Sequence, residues 1–313
     1  MKEDLIMSIP GLYRDDFRIA GYRFGSGENA ACIVGSLRGN EFQQLYVCQQ
    51  LIGRLREMEA EGCIADGMQI LVIPCGNPYS VNVKRRFWTI DNTDINRMFP
   101  GYEEGETTQR IADKIFQTVS KYRYGIQMAS FYLGGTFIPH IRVMRTGYED
   151  TEMARQFGLP YVVIHEPRPF DTATLNYNWQ IWGVKGFSLY TTTTEKIDPV
   201  SAQQGTEAIL QFLSRRGILR YDGFAGFISR IISTGDLITV RSSVSGFFER
   251  RVHPGSRVRK GEVIGQITHP YLGDVREQIV CPTDGTVFFM NSEPLVYEAT
   301  TLFKLISNAS SGL

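Results

Sequence analysis

The chain has 313 residues, with 33 basic and 33 acidic side chains, and 42% of its residues are hydrophobic. This composition excludes a disordered chain, because enough apolar residues are present to bury a core. The balanced charge argues against nucleic acid as a partner, since no basic excess is available to neutralise phosphates. The length suits one large domain and a smaller one.

Neither a membrane span nor a secretory leader is expected from the sequence. The longest apolar runs, such as 68–74, fall far short of the roughly 20 residues that a bilayer-spanning helix needs. The sequence begins Met1-Lys2-Glu3-Asp4 and lacks the apolar core of a signal peptide. Five widely spaced cysteines without a C-x-x-C pair indicate reduced thiols. We therefore expect a cytoplasmic protein with no membrane partner.

The first two thirds of the chain alternate predicted strands with predicted helices. The apolar run 30–36 predicts a buried strand, and the apolar residues of 41–61 recur at helical spacing. Further strands are predicted over 68–74, 124–129, 140–145, 161–165 and 187–192, and further helices over 107–122, 174–183 and 200–216. This alternation predicts an α/β domain with a mixed, largely parallel sheet and helices on both faces.

The sequence changes character from about Tyr221. Nine glycines between positions 223 and 285 separate short β-rich segments, and no helical period remains. This pattern predicts a small all-β domain. We therefore divide the chain into an α/β domain over 1–220, a β domain over 221–308 and a frayed tail over 309–313.

Three segments of the α/β domain carry recognisable motifs. They read VGSLRGNE at 34–41, DINRMFPG at 94–101, with Asn77-Pro78 and Arg86 ahead of it, and PHIR at 139–142. Together they resemble the G-x-H-G-[ND]-E, N-P…R…D-L-N-R-x-F-P-G and P-H-x-R motifs of the succinylglutamate desuccinylase/aspartoacylase family. The resemblance implies the zinc carboxypeptidase-like fold of that family of hydrolases. Segments 252–265 and 280–285 resemble the barrel-sandwich β domain of many members.

The resemblance implies a catalytic site that this chain has largely lost. Family members hold zinc with a His, a Glu and a second His, and a further Glu serves as general base. Aligned on the motifs, the chain has Arg38 and Gln127 at the two His positions and Tyr190 at the base, and only Glu41 matches. Arginine has no lone pair to give a metal, glutamine is a poor zinc ligand, and tyrosine is a weak base at neutral pH. We therefore expect no zinc cofactor; if a metal does bind, Glu41 is its one conventional ligand.

The resemblance also implies a pocket for a substrate carboxylate. Its residues at the matching positions are Arg38, Arg86, Asn96, Arg97, His140 and Arg142. Arg38 and Glu41 stand three residues apart, which predicts an ion pair with the guanidinium in the place of the metal. Other interpretations stay open: Asn96 and Arg97 as braces of a loop, Tyr190 as an inward aromatic, and His140 as a structural residue.

Three functions follow from these observations. We favour a metal-free pseudoenzyme that binds a small carboxylate, such as an N-acyl amino acid. One alternative is an active deacylase of the family, which hydrolyses N-acyl amino acids with zinc at a non-standard site. The other is a structural subunit that acts through its β domain. A homo-oligomer is compatible with each of them.

Overall fold

The structure is a computed structural model and describes residues 1–11, 13, 15–223 and 225–308. They form two compact units, the first made of 1–130 and 139–231 and the second of 131–138 and the residues from 232 onward. The expected boundary at 220 therefore differs from the observed one, and the assignment of 131–138 to the second unit was not predicted. The tail predicted to fray, 309–313, lies outside the described residues.

The described residues contain eighteen strands, and each is numbered in chain order: β1 (Lys2–Ile9), β2 (Phe17–Gly25), β3 (Glu28–Ser36), β4 (Met68–Cys75), β5 (Tyr124–Ala129), β6 (Gly135–Phe137), β7 (His140–Met144), β8 (Tyr161–His165), β9 (Lys185–Tyr190), β10 (Arg230–Ser233), β11 (Leu237–Arg241), β12 (Gly246–Arg250), β13 (Arg257–Val258), β14 (Val263–Thr268), β15 (Val275–Val280), β16 (Gly285–Asn291), β17 (Leu295–Val296) and β18 (Thr301–Ser307). The α-helices are α1 (Phe42–Ala60), α2 (Pro78–Asn82), α3 (Thr107–Val119), α4 (Thr151–Arg155), α5 (Leu175–Ile181) and α6 (Pro199–Arg215). Short 3-10 helices cover Ile95–Arg97, Pro169–Asp171 and Thr234–Asp236.

A nine-stranded mixed sheet, in the order β1-β2-β4-β3-β5-β9-β7-β8-β10, forms the frame of the first unit. The central strands β4, β3, β5 and β9 are parallel neighbours, whereas β7 runs antiparallel to β9. The predicted mixed, largely parallel sheet is therefore confirmed. The antiparallel strands β1 and β2 were not predicted; Met7 is the one buried residue of β1, so that strand has no long apolar run.

Helices cover both faces of this sheet, as predicted. Along β3, Ala31 and Ile33 belong to one buried cluster together with residues of α1 and α6. The intervening Cys32 and Val34 belong to another cluster, together with residues of α3 and α5. Successive side chains of a strand point to opposite faces, so the two clusters are the two sides of one sheet. None of the helices in the described ranges is long and apolar enough to cross a bilayer.

The described strands of the second unit form antiparallel sheets, which confirms the predicted β-rich character. One sheet has the order β11-β18-β16-β13, with β6 paired to β16, and the other has the order β15-β14-β12-β17. Their apolar side chains share one core, which includes Ile264, Val287 and Phe303. The pairing of β6 with β16 joins segments that are far apart in the chain, and local sequence patterns do not predict such a contact.

The parallel strands of the first unit place their carboxyl ends along one edge, where ligands bind in sheets of this kind. β3 ends at Ser36, and the turn 37–41 leads directly into α1. Gly39 lies so close to the chain at 80–85 that an added Cβ would approach the backbone carbon of Ser80 to 2.2 Å and the carbonyl oxygen of Arg85 to 2.3 Å. Its N–H also donates to the carbonyl of Arg86 at 3.2 Å. The turn 37–41 is therefore held in place by tight packing against residues 80–86.

Candidate functional site

The turn between β3 and α1 contains a buried ion pair. Arg38 Nη1 lies 3.2 Å from Glu41 Oε1, and the two side chains are only 4% and 2% exposed. This is the pair that the three-residue spacing predicts. Because water scarcely reaches it, its charges attract each other more strongly than those of a surface pair.

Glu41 accepts two hydrogen bonds at each of its carboxylate oxygens. Oε2 accepts from the backbone N–H groups of Leu37 at 2.9 Å and Arg38 at 3.0 Å. Oε1 accepts from Arg38 Nη1 at 3.2 Å and from Ser130 Oγ at 2.5 Å. A carboxylate offers about four lone-pair positions, so these donors occupy them all. A cation could bind to Glu41 only by displacing a donor.

A second carboxylate, that of Asp94, lies on the other side of the guanidinium. Asp94 Oδ2 accepts from Arg38 Nη2 at 2.9 Å, and both Asp94 oxygens accept from Arg38 Nε at 3.1 Å. The backbone N–H of Asn96 donates to Asp94 Oδ1 at 3.1 Å. Arg38 therefore bridges two carboxylates. Asp94 is part of the motif at 94–101, but no role was predicted for it.

Ser130, just after β5, is the residue of this region that contacts the ion pair. Besides donating to Glu41, its hydroxyl accepts from Arg38 Nη1 at 3.4 Å. Gln127, which the motif alignment places at the second His position, donates from Nε2 to Asn96 Oδ1 at 3.1 Å.

Asn96 is buried and braces the loop that carries it. Its Oδ1 accepts from Gln127 and also from the backbone N–H of Leu175 at 3.3 Å, which links β5 to the first residue of α5. The interpretation of Asn96 as a loop brace therefore has direct structural support. Its role in binding a carboxylate stays a prediction.

Tyr190, His140 and Arg142 form a second group where β9 lies beside β7. His140 is in register with Tyr190, and their rings stack at 4.9 Å with an interplanar angle of 3°. Arg142 Cζ lies 4.5 Å from the centroid of the Tyr190 ring, within the range of a cation–π contact. Tyr190 is buried, so the structure has it as the inward-facing aromatic that sequence analysis left open.

A third group joins Arg97, Asp171 and His165. Arg97 Nη1 donates to Asp171 Oδ1 at 3.1 Å and to the carbonyl of Phe170 at 2.7 Å. Asp171 Oδ2 lies 3.1 Å from His165 Nε2 and accepts from the backbone N–H of Arg168 at 3.0 Å. No role was predicted for Asp171, which follows β8 by only a few residues.

The charges of this third group shift the acidities of its members. Burial lowers the pKa of His165, and the guanidinium of Arg142 lowers it further, while Asp171 acts in the opposite direction. Burial alone would raise the pKa of Asp171. The hydrogen bonds from Arg168, His165 and Arg97 outweigh that effect and hold the pKa of Asp171 below its usual range. His165 is therefore neutral and Asp171 ionised near pH 7.

Cys75 ends β4 close to the Glu41 carboxylate, but its environment suppresses thiolate formation. Burial raises the pKa of the Cys75 thiol to about 12, and the negative charge of Glu41 adds to that rise. A nucleophilic cysteine needs a lowered pKa and a nearby cation or base. Cys75 is therefore a protonated, unreactive thiol at neutral pH.

The side chains that the motif alignment assigns to the zinc position do not fit a zinc ion. Arg38 brings a permanent positive charge and no lone pair, and the lone pairs of Glu41 are already engaged. Within the described residues, no group of three or more His, Cys, Asp or Glu side chains is arranged to hold a metal. Zinc sites need three or four such ligands around one ion.

Residues 28–215 of the sequence match the protein-family model of the succinylglutamate desuccinylase/aspartoacylase catalytic domain. That range covers more than half of the chain, including the three motifs and all of the groups described above. The chain belongs to this family. The resemblance drawn from the sequence motifs is therefore confirmed.

A curated relative of known activity matches a short part of this family member. It is an N-alpha-acetyl-L-2,4-diaminobutyric acid deacetylase from Halomonas elongata, 30% identical over 83 residues. The match covers 26% of this chain and only 22% of the length of that enzyme.

Solved structures of the family share the fold over almost the whole chain. A succinylglutamate desuccinylase from a Silicibacter species has a TM-score of 0.80 at 18% identity, covering 96% of this chain and 93% of that one. A product-bound ectoine utilization protein from Ruegeria pomeroyi has a TM-score of 0.78, with the same identity of 18% and the same coverage of 96% and 93%. A succinylglutamate desuccinylase/aspartoacylase from Rhodobacter sphaeroides has a TM-score of 0.76 at 19% identity, covering 94% and 90%.

Proposed function

We propose that this family member works without a metal and binds a small carboxylate, such as an N-acyl amino acid, without hydrolysing it. The observation that carries the proposal is the position of the Arg38 guanidinium, 3.2 Å from Glu41 Oε1 and 2.9 Å from Asp94 Oδ2. Family hydrolysis needs a divalent cation at this place to activate water. A fixed arginine charge there supplies electrostatic balance but no site for a bound water nucleophile.

Arg97 and Arg142 are the residues that best support the proposed binding of a carboxylate. The donors of Arg38 point to Glu41, Asp94 and Ser130, and a ligand carboxylate beside them would meet two negative charges. Around His165, by contrast, Arg97 contacts the Asp171 carboxylate, and the guanidinium groups of Arg142 and Arg168 exert a positive potential on the imidazole. Guanidinium groups in such a partly buried place suit a carboxylate ligand.

The first test is the zinc content of the purified protein. After purification without chelator and dialysis against zinc, we expect mass spectrometry to find far less than one zinc per chain, because Arg38 repels the ion. The variant Arg38→His is the matched comparison. It puts an imidazole beside Glu41 in place of the guanidinium, so we expect its zinc content to exceed that of the wild type.

One tightly held zinc per wild-type chain would contradict the proposal. If that protein also hydrolysed N-acetyl-L-2,4-diaminobutyrate or N-succinyl-L-glutamate, and Glu41→Ala abolished the activity, the chain would be an active deacylase. The family membership and the activity of the curated relative favour this second function.

Ligand binding is tested by thermal unfolding with N-succinyl-L-glutamate. A ligand that binds only the native state, at about a hundred times its Kd, adds about 2.7 kcal/mol of stability. We expect the probe to raise the melting temperature of the wild type and of the control Arg110→Gln, whose side chain is exposed on α3. Arg97→Gln should lose most of that rise. If neither N-succinyl nor N-acetyl amino acids raise the melting temperature, the role of a structural subunit gains support instead.

A further inference from the structure

His165 and its neighbours come from four separate segments of the first unit. His165 ends β8, and Arg142 lies on the adjacent parallel strand β7, in register with Val163. Because side chains alternate along a strand, Arg142 and His165 project from the same face of the sheet. Arg97 and Asp171 end the short helices Ile95–Arg97 and Pro169–Asp171.

One carboxylate and two guanidinium groups are among the charged groups that act on His165. The ionised Asp171 accepts a hydrogen bond from His165 Nε2 at 3.1 Å, while Arg142 and Arg168 exert a positive potential on the ring. Arg97 affects His165 indirectly, because it donates a hydrogen bond to Asp171 at 3.1 Å. The side chains of Arg97 and His165 are each 17% exposed and that of Asp171 is 9% exposed, so solvent screens these charges only partly.

We propose that His165 takes up a proton when a carboxylate binds beside Arg97 and Arg142. The inference rests on the proposed function, because it assumes that this group holds the anionic ligand. In the ligand-free protein, the guanidinium of Arg142 opposes a positive charge on the imidazole. A bound carboxylate offsets that opposition, and the hydrogen bond to Asp171 then stabilises the imidazolium.

The direction of the pH dependence follows from linkage. The pKa of His165 is lowered in the ligand-free protein and rises when the anion binds, so the ligand affinity increases as the pH falls through the pKa of the complex. The affinity levels off below the pKa of the free protein, where both forms are protonated. Asp171 stays ionised through this window, since its own pKa lies below its usual range. A nearby opposite charge shifts a pKa by about one unit or more, which corresponds to about a tenfold change in affinity.

The experiment follows the imidazole signals by NMR as a function of pH, with and without N-succinyl-L-glutamate. The chain has only four histidines, and the variant His165→Gln identifies the signal of His165. We expect the titration of His165 to move up by at least about one pH unit when the probe is added. Calorimetry in two buffers of different ionisation enthalpy should show proton uptake on binding. His165→Gln should remove the pH dependence and weaken binding by about tenfold at pH values below the pKa of the free protein, whereas His253→Gln should not.

The outcomes separate this inference from the function on which it rests. If the probe binds without proton uptake and the titration of His165 does not move, the role of His165 is overturned and carboxylate binding stands. If the probe fails to bind at any pH, both are overturned. Should His165→Gln fail to fold, the titration of the wild type alone decides between these results.

Discussion

We expect Arg38→Met to lower the free energy of unfolding by about 3–5 kcal/mol, because it leaves Glu41 and Asp94 as buried carboxylates without their shared cation. The Arg38 side chain is 4% exposed, and its carboxylate partners are 2% and 9% exposed. Solvent therefore cannot replace the lost contacts. Urea unfolding followed by circular dichroism measures the effect as a lower midpoint with an unchanged denaturant slope.

Two controls show whether the loss comes from the unbalanced charge. Arg110→Met removes an exposed arginine from α3 and should change stability by no more than about 0.5 kcal/mol. The double variant Arg38→Met/Glu41→Gln removes one of the two stranded carboxylates, so it should be more stable than Arg38→Met alone. A loss below about 1 kcal/mol in Arg38→Met would mean that the guanidinium is not the charge that holds this turn together.

A comparably large effect is expected at Gly39, the glycine beside Arg38. Gly39→Ala should lower the free energy of unfolding by about 3 kcal/mol, since the new Cβ would meet the backbone of Ser80 at 2.2 Å and of Arg85 at 2.3 Å. Backbone atoms cannot rotate aside as a side chain does, so the turn and the segment after β4 must separate. Chemical denaturation measures the loss.

Gly53→Ala is the matched substitution with the opposite expected sign. Gly53 lies inside α1, and an added Cβ there would meet nothing within 4 Å. Alanine should therefore raise the stability by about 0.5–1 kcal/mol through its better helix propensity. Equal effects of the two substitutions would show that the packing around Gly39 is looser than its contacts indicate.

The elements most accurately predicted from sequence are those with strong local patterns. The strands β5 and β8 have the predicted bounds, and α6 differs from its predicted range by one residue at each end. β1 was missed because it has few buried side chains. Its pairing partner β2 was missed with it, since strand pairing is a long-range property.

The contacts of the candidate site also divide into those that the sequence predicts and those that only the tertiary structure shows. The ion pair of Arg38 with Glu41 was predictable, since both residues lie in one turn and their chemistry is local. The contacts of Arg38 with Asp94 and Ser130 were not, because they join residues 56 and 92 positions apart in the chain. The partner of Gln127 also depended on the tertiary structure, because Asn96 lies 31 positions away in the chain.

The sequence by itself determined the family and the two-part architecture, and it predicted that Arg38 stands at the position of a zinc-binding histidine. These conclusions need only residue identities, spacings and periodicities. The tertiary structure decided which groups contact the Arg38 guanidinium, and it brought Arg97, Arg142, His165 and Asp171 into one charged group. The physical reason is separation along the chain. Periodicity and turn chemistry involve residues that are close in sequence. The charge and the pKa of a buried group depend instead on every neighbour that the fold places beside it, however far away in the chain.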